Sequence, residues 1–205
     1  MTLQLWGRPS SARTQKVMLA LAELNFTYEF IKASATMGPE GSVSRGKTAY
    51  GIVDTTEYLE KNPNGTIPTI NDEGFILWES NAIVQYLGMK YNPKLFYDAN
   101  IETFASASRW MMWENNQLIP PMHDLAKHLY RLPENQRDED VVRTSKEKLF
   151  LEFQKVEVQL SKTRFISGDQ WCMGDIPMTI RCHRWNILAK PFADFPNLLL
   201  SLIHI

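Results

Sequence analysis

Residues 62–87 read NPNGTIPTINDEGFILWESNAIVQYL, and the order of signals in that stretch decides the fold. NPNG (62–65) is turn chemistry that stops whatever precedes it, and TIPTI (66–70) is a short strand. Its proline cannot donate to a ladder, which places Pro68 at a strand mouth. NDEG (71–74) suits a hairpin turn, and FILW (75–78) is the returning strand. Glu79 and Ser80 then open a helix in which Ile83, Tyr86, Leu87 and Lys90 put three apolar residues on one side. The stretch reads as two hairpinned strands followed by a helix.

Toward the N-terminus, TLQLW (2–6) alternates with Leu3 and Leu5 on one face, as a strand does, and GRPS (7–10) breaks it. From Ser11 to about Leu24 the stripe Val17, Ala20, Leu21, Leu24 keeps helical spacing, while Met18, Leu19 and Ala22 make the other sides apolar too, so this helix is buried. FTYEFIK (26–32) alternates as a second strand. Residues 33–54, rich in Gly, Ser and Thr and carrying Pro39, read as a long loop, and TTEYLEKN (55–62) as a short helix. The first 90 residues are thus βαβαββα, an α+β layout of the thioredoxin-like kind.

Toward the C-terminus strand signals vanish. YNPKLFYDAN (91–100) reads as a linker, and residues 98–205 as an all-helical bundle. A first long helix runs Ile101 to Leu118, where Pro120 and Pro121 must end or kink it. Leu149, Phe153, Val156 and Leu160 mark a second, and Ile176, Ile180, His183 and Ile187 a third, with His183 a structural histidine on an apolar face. RDEDVVR (137–143) is a solvated helix start, and Pro191 and Pro196 bound the remainder.

The 205 residues are 44% hydrophobic, and 22 Lys and Arg balance 23 Asp and Glu. That length buries a sizeable core, and the balance supplies no positive field for nucleic acid or an anionic membrane. The N-terminus lacks the basic-then-apolar order of a signal peptide and no run approaches a membrane span, so a cytosolic location is expected. Cys172 and Cys182, the two cysteines, show no zinc spacing and read as reduced thiols; no metal is expected.

Three patches carry chemistry. Ser11 stands at the first helix's N-terminus, where exposed N–H groups and the helix dipole stabilise an anion such as a thiolate; the segment alone more often reads as Ser10 or Ser11 capping the helix. If the bond before Pro68 is cis, it turns the Ile67 backbone toward the site, where its N–H and C=O suit an extended peptide; the string by itself reads as a loop before a hairpin. At Glu79 and Ser80, helix N–H groups and the hydroxyl suit a carboxylate and the glutamate an ammonium group, together an amino-acid head group; by itself, ESN before an apolar run is most often a helix cap.

These three patches, in this order and followed by a helical half, resemble the cytosolic glutathione S-transferase superfamily. GRPSSARTQKVMLALAEL (7–24), VDTTEYLEKNPNG (53–65), SRWMMWE (108–114) and MGDIPMTIRCHRW (173–185) resemble its bacterial, theta-like, serine-type group. The resemblance implies a glutathione-binding domain over 1–90 and a substrate-binding domain over 98–205. It implies that Ser11 holds the glutathione thiolate, Ile67 beside Pro68 the cysteinyl backbone, and Glu79 with Ser80 the γ-glutamyl group, with Lys47 or Tyr50 reaching the glycyl carboxylate. The implied activity is conjugation of the thiolate to small apolar electrophiles, a detoxification chemistry, with glutathione as co-substrate, no other cofactor, and a homodimer. Isomerisation or dehalogenation at the same site, and glutathione binding without turnover, are the alternatives. The acceptor pocket is expected from Trp110, Met111 and Trp113 with Trp6 or Arg8, although Trp and Met at helical spacing also read as core.

Three departures from the group stand out. Arg13 replaces its usual Asn, and the charge either stabilises a thiolate further or pairs with a carboxylate. Cys172 replaces the Ser or Thr that opens the capping motif ending in Asp175, so Cys172→Thr is expected to stabilise by about 1 kcal/mol. FPNLLLSLIHI (195–205) ends where relatives run on into a longer terminal helix, so a shortened acceptor-pocket lid is expected.

Overall fold

The computed structural model describes residues 2–34, 52–189 and 195–203. The chain divides into two compact units, residues 1–92 and 93–205. In the first, β1 (Leu3–Gly7), α1 (Ala12–Glu23), β2 (Tyr28–Lys32), α2 (Thr56–Lys61), β3 (Thr69–Asp72), β4 (Phe75–Trp78) and α3 (Ser80–Tyr91) follow one another. This is the βαβαββα order of the thioredoxin-like layout. The sheet runs β2-β1-β3-β4, with β1 parallel to β2 and antiparallel to β3, and β3 antiparallel to β4.

Alternation along β1 divides the interior of this unit. Leu3 and Leu5 share one face, and both are buried, as are Val17, Ala20 and Leu21 on α1 and Ile83, Val84 and Leu87 on α3, helices that pack against each other. Trp6 points to the opposite face and joins Ala33, Val53 and Tyr58 in a second apolar cluster. The hairpin closes as its sequence dictates: Glu73 and Gly74 both take positive φ, and Asn71 accepts the Gly74 N–H at 2.8 Å. Pro68 stays outside the ladder, immediately before β3.

The second unit is helical: α4 (Pro93–Tyr97), α5 (Ile101–Trp113), α6 (Ile119–Ala126), α7 (Glu139–Leu160), α8 (Asp175–Ala189) and α9 (Pro196–Ile203). Its core gathers Leu118, Met122, Leu149, Phe153, Val156 and Trp185, with the Phe153 and Trp185 rings stacked 5.3 Å apart. Asp138 caps α7, accepting from the Asp140 and Val141 amides, and Glu157 on α7 caps α9, accepting from the Asn197 and Leu198 amides at 3.0 and 2.9 Å.

Three sequence expectations are corrected here. The linker contains α4, because Phe96 is fully buried, edge-on to Trp171 at 5.6 Å, while its carbonyl accepts the Met173 N–H at 2.7 Å. The first long helix ends at Trp113 and not at Leu118: a π-turn over Glu114–Leu118 follows it, and Pro120 and Pro121 fall in the first turn of α6, where proline's missing N–H is tolerated. On α8 the buried stripe is Met178, Arg181, Cys182 and Trp185, while His183 and Ile187 are exposed. An apolar reading passes over Arg181 because it is charged; the charge is buried because Glu114 pairs with it.

Candidate functional site

Strand register brings the three patches to one end of the sheet. Trp6 pairs with Thr69 and Thr69 with Trp78, so the end of β1, the start of β3 and the end of β4 lie side by side. Ser11 follows β1, Ile67 and Pro68 precede β3, and Glu79 and Ser80 follow β4. Ala33, whose N–H donates to the Gly7 carbonyl at 2.9 Å, leaves β2 at the same end.

The turn from β1 into α1 is tight. A Cβ on Gly7 would lie 2.5 Å from Thr14 Cγ2, so only glycine allows the first turn of α1 to close onto the strand end. Thr14 Oγ1 accepts the Arg8 N–H at 3.4 Å, and the Arg8 carbonyl accepts the Ser11 N–H at 2.9 Å. Ser11 is the N-cap of α1, its Oγ accepting the Thr14 N–H at a long 3.4 Å. A hydroxyl so engaged keeps its proton and a second lone pair for another partner. Arg13 is exposed on the first turn.

Behind this end lies a side chain that apolar patterning passes over. Lys16 is fully buried on α1 and its Nζ donates to Asn81 Oδ1 at 3.0 Å, tying α1 to the first turn of α3. The one signal for it is its place directly before the apolar run 17–22.

The peptide bond between Ile67 and Pro68 is cis. Glu79, exposed, takes φ 70° and ψ 111° and makes no side-chain cap bond, while Ser80 begins α3 at 4% exposure. A glutamate at positive φ outside a glycine turn stores strain, of order 1–3 kcal/mol, of the kind that collects at functional sites. Nothing in WESN signals it.

The other candidates are distributed between the units. Trp6 is 7% exposed in the cluster with Tyr58, and Lys61 Nζ stands 5.8 Å from its ring centre. The Arg8 guanidinium is half-buried, with its Nε sealed from solvent and without a hydrogen-bond partner among the described residues, and burial lowers its pKa. On α5, Met111 is 1% exposed, whereas Trp110 and Trp113 are half-buried, their rings edge-on at 5.3 Å against the helical core. Lys47 and Tyr50 lie outside the described residues. Among the described residues no cluster of three His, Cys, Asp or Glu could hold a metal ion, and no helix is long and apolar enough to cross a membrane.

Residues 5–95 match the family model for the glutathione S-transferase N-terminal domain. The chain is 35% identical over 198 residues to glutathione S-transferase GstB of Escherichia coli strain K12, covering 96% of this chain and 89% of that protein. Over 177 residues it is 25% identical to the probable glutathione S-transferase GSTF2 of rice, covering 85% of this chain and 76% of that one. Among solved structures, it superposes with a TM-score of 0.86 and 29% identity on the theta class glutathione S-transferase of Xanthomonas axonopodis pv. citri with glutathione bound, covering 100% and 92% of the two chains. The convergence of Ser11, Ile67 and Glu79–Ser80 at one sheet end, on a fold and sequence shared with these proteins, places this chain in the glutathione S-transferase family of enzymes.

Proposed function

We propose that this chain conjugates the glutathione thiolate to small apolar electrophiles, with Ser11 donating its hydroxyl proton in a hydrogen bond to the sulfur. The observation that carries it is the register Trp6–Thr69–Trp78, which aligns a serine at a helix N-terminus, a backbone edge and a strained Glu79–Ser80 helix start. An extended tripeptide needs those three things in a row. The dipole of α1 and the Ser11 hydroxyl favour the thiolate over the thiol, Ile67 offers its N–H and C=O to the cysteinyl backbone, and Ser80 with Glu79 suits the γ-glutamyl carboxylate and ammonium. The thiolate sulfur then forms a bond to the electrophilic carbon as the leaving group departs with the broken bond's electron pair.

Of the acceptor candidates, Trp110 and Trp113 keep accessible aromatic surface and are assigned to bind the electrophile; Met111, packed inside, shapes their helix. Arg13 is assigned to assist the anion electrostatically. The homodimer belongs to the same proposal: Phe75 and Trp78 on the edge strand β4 and Met89 on α3 are 48%, 36% and 53% exposed, and sedimentation equilibrium should report twice the mass of the chain.

The decisive experiment is conjugation of glutathione to a generic aryl halide by the parent and by Ser11→Ala at matched pH. A hydrogen bond to a charged sulfur predicts a fall of about 10- to 100-fold in kcat/KM. Undiminished conjugation in Ser11→Ala would remove Ser11 from the mechanism.

A further inference from the structure

The turn that delivers Ile67 is held from inside by a buried polar cluster that the proposed chemistry does not touch. Tyr58 is 2% exposed, and its Oη donates to the Thr66 carbonyl at 2.6 Å and lies 2.9 Å from Thr69 Oγ1. Asn62, fully buried, repeats both contacts from a second direction: Nδ2 reaches the Thr66 carbonyl at 2.9 Å and Thr69 Oγ1 at 3.0 Å. Asn62 Oδ1 accepts the Asn64 N–H at 3.1 Å and closes the turn. Thr66 and Thr69 are the residues immediately before and after the pair Ile67–Pro68.

Proton counting fixes the direction of every bond. Tyr58 has one hydroxyl proton, kept by burial, which pushes its pKa up, and spends it on the Thr66 carbonyl. Thr69 must therefore donate to Tyr58 Oη while accepting from Asn62 Nδ2. The Thr66 carbonyl receives two donors and is fully satisfied inside the unit. In a trans peptide the C=O and the following N–H point in opposite directions, and the Thr66–Ile67 bond is trans. Pinning the Thr66 carbonyl inward therefore turns the Ile67 N–H away from the interior. The Ile67 side chain, resting against the cluster of Trp6, Val53 and Tyr58, prevents the peptide plane from rolling back.

We propose that Tyr58, Asn62 and Thr69 are positioning residues that aim the Ile67 N–H at the cysteinyl segment of glutathione and so set its affinity; this rests on the glutathione reading of the site. The test measures binding of S-methylglutathione, which lacks a free thiol, to the parent, Tyr58→Phe, Thr69→Val and Thr69→Ser. Loss of one well-aimed backbone bond predicts that Kd rises about 5- to 10-fold in Tyr58→Phe and Thr69→Val. Thr69→Ser, which keeps the hydroxyl, should bind as the parent does. The KM for glutathione should rise in parallel while kcat at saturating glutathione stays within about twofold. A merely structural cluster would instead lower the binding stoichiometry and kcat and leave Kd unmoved, and that result, with a binding parent, overturns the positioning role alone. A parent that does not bind S-methylglutathione overturns the glutathione reading and this role with it. Should Tyr58→Phe not fold, the Thr69→Val and Thr69→Ser pair decides.

Discussion

Asp72 in the sheet unit and Asp175 in the helical unit are 3% and 1% exposed, yet their carboxyl groups shift in opposite directions. Burial pushes both up. At Asp72 it is outweighed by hydrogen bonds from Lys90 Nζ at 2.8 Å, Tyr86 Oη at 2.8 Å and Tyr91 Oη at 2.8 Å, and the group is held below the usual carboxylate range. At Asp175 the partners include the backbone N–H groups of Ile166 at 2.9 Å and Cys172 at 3.0 Å and the Cys172 thiol, burial outweighs them, and the group is pushed up to about 6. Both sets of donors favour the charged form, but only at Asp72, where a cation joins the hydroxyls, do they outweigh burial. The first arrangement ties the hairpin to α3; the second shapes the loop that enters α8.

Glu114 and Arg181 extend the comparison to its ionic limit, and breaking that pair carries the largest expected effect. Both side chains are buried, at 0% and 6% exposure. Glu114→Ala leaves a guanidinium in the helical core and should cost about 3–5 kcal/mol in urea unfolding. A loss under about 1 kcal/mol would show that Arg181 reaches water, and the buried pair would then not belong in this series.

The pH dependence of stability sharpens the contrast next. Between about pH 4 and 6 the folded chain holds a proton on Asp175 that the unfolded chain has released, so the contribution of Asp175 is greatest below pH 4 and falls as pH rises to about 6. The size is on the order of 1–3 kcal/mol. Asp72 behaves oppositely: its stabilisation is complete above the ordinary carboxylate range and is lost as pH falls through its lowered value. Melting curves should therefore show Asp175→Asn converging on or overtaking the parent between pH 4 and 6.5, and Asp72→Asn closing on the parent only below pH 4. A gap between parent and Asp175→Asn that stays constant from pH 4 to 7 would remove the difference between the two carboxylates.

What the sequence discloses follows the same division. The sheet unit was legible because its signals are local: NPNG, NDEG and the alternation of TLQLW each act within a few residues, and strand register then carries Ser11, Ile67 and Glu79 to one edge. The helical unit was less so. Its π-turn depends on two prolines negotiating with the helix before them, α4 on Phe96 meeting Trp171, and the α8 stripe on an arginine whose partner lies 67 positions away. Within the site, the residue types at Ser11 and Ser80 could be read, whereas the positive φ of Glu79, the buried Lys16 and the inward turn of the Thr66 carbonyl are products of tertiary packing that no local pattern encodes.

The smallest expected effect tests why neutral partners suffice around Asp175. Cys172 gives its N–H to Asp175, and its carbonyl accepts the Asp175 N–H at 3.0 Å, so the two residues face each other as the ends of a capping motif. The thiol is 2% exposed and pushed up to about 11, by burial first and by the Asp175 charge second, so it stays neutral. Sulfur is a weak hydrogen-bond partner, and the Cys172 sulfur is what meets the Ser167 hydroxyl and the Gly174 N–H at this helix entrance. A hydroxyl at position 172 engages the helix-start amide and the Ser167 hydroxyl more strongly than sulfur does. Cys172→Ser should raise stability by about 0.5–1 kcal/mol. Cys172→Thr should gain less, because its methyl enters a loop in which even a Cβ on Gly174 would stand 2.5 Å from Ser167 Oγ. An unchanged or lower melting temperature in both variants would mean that sulfur packing outweighs the weaker cap.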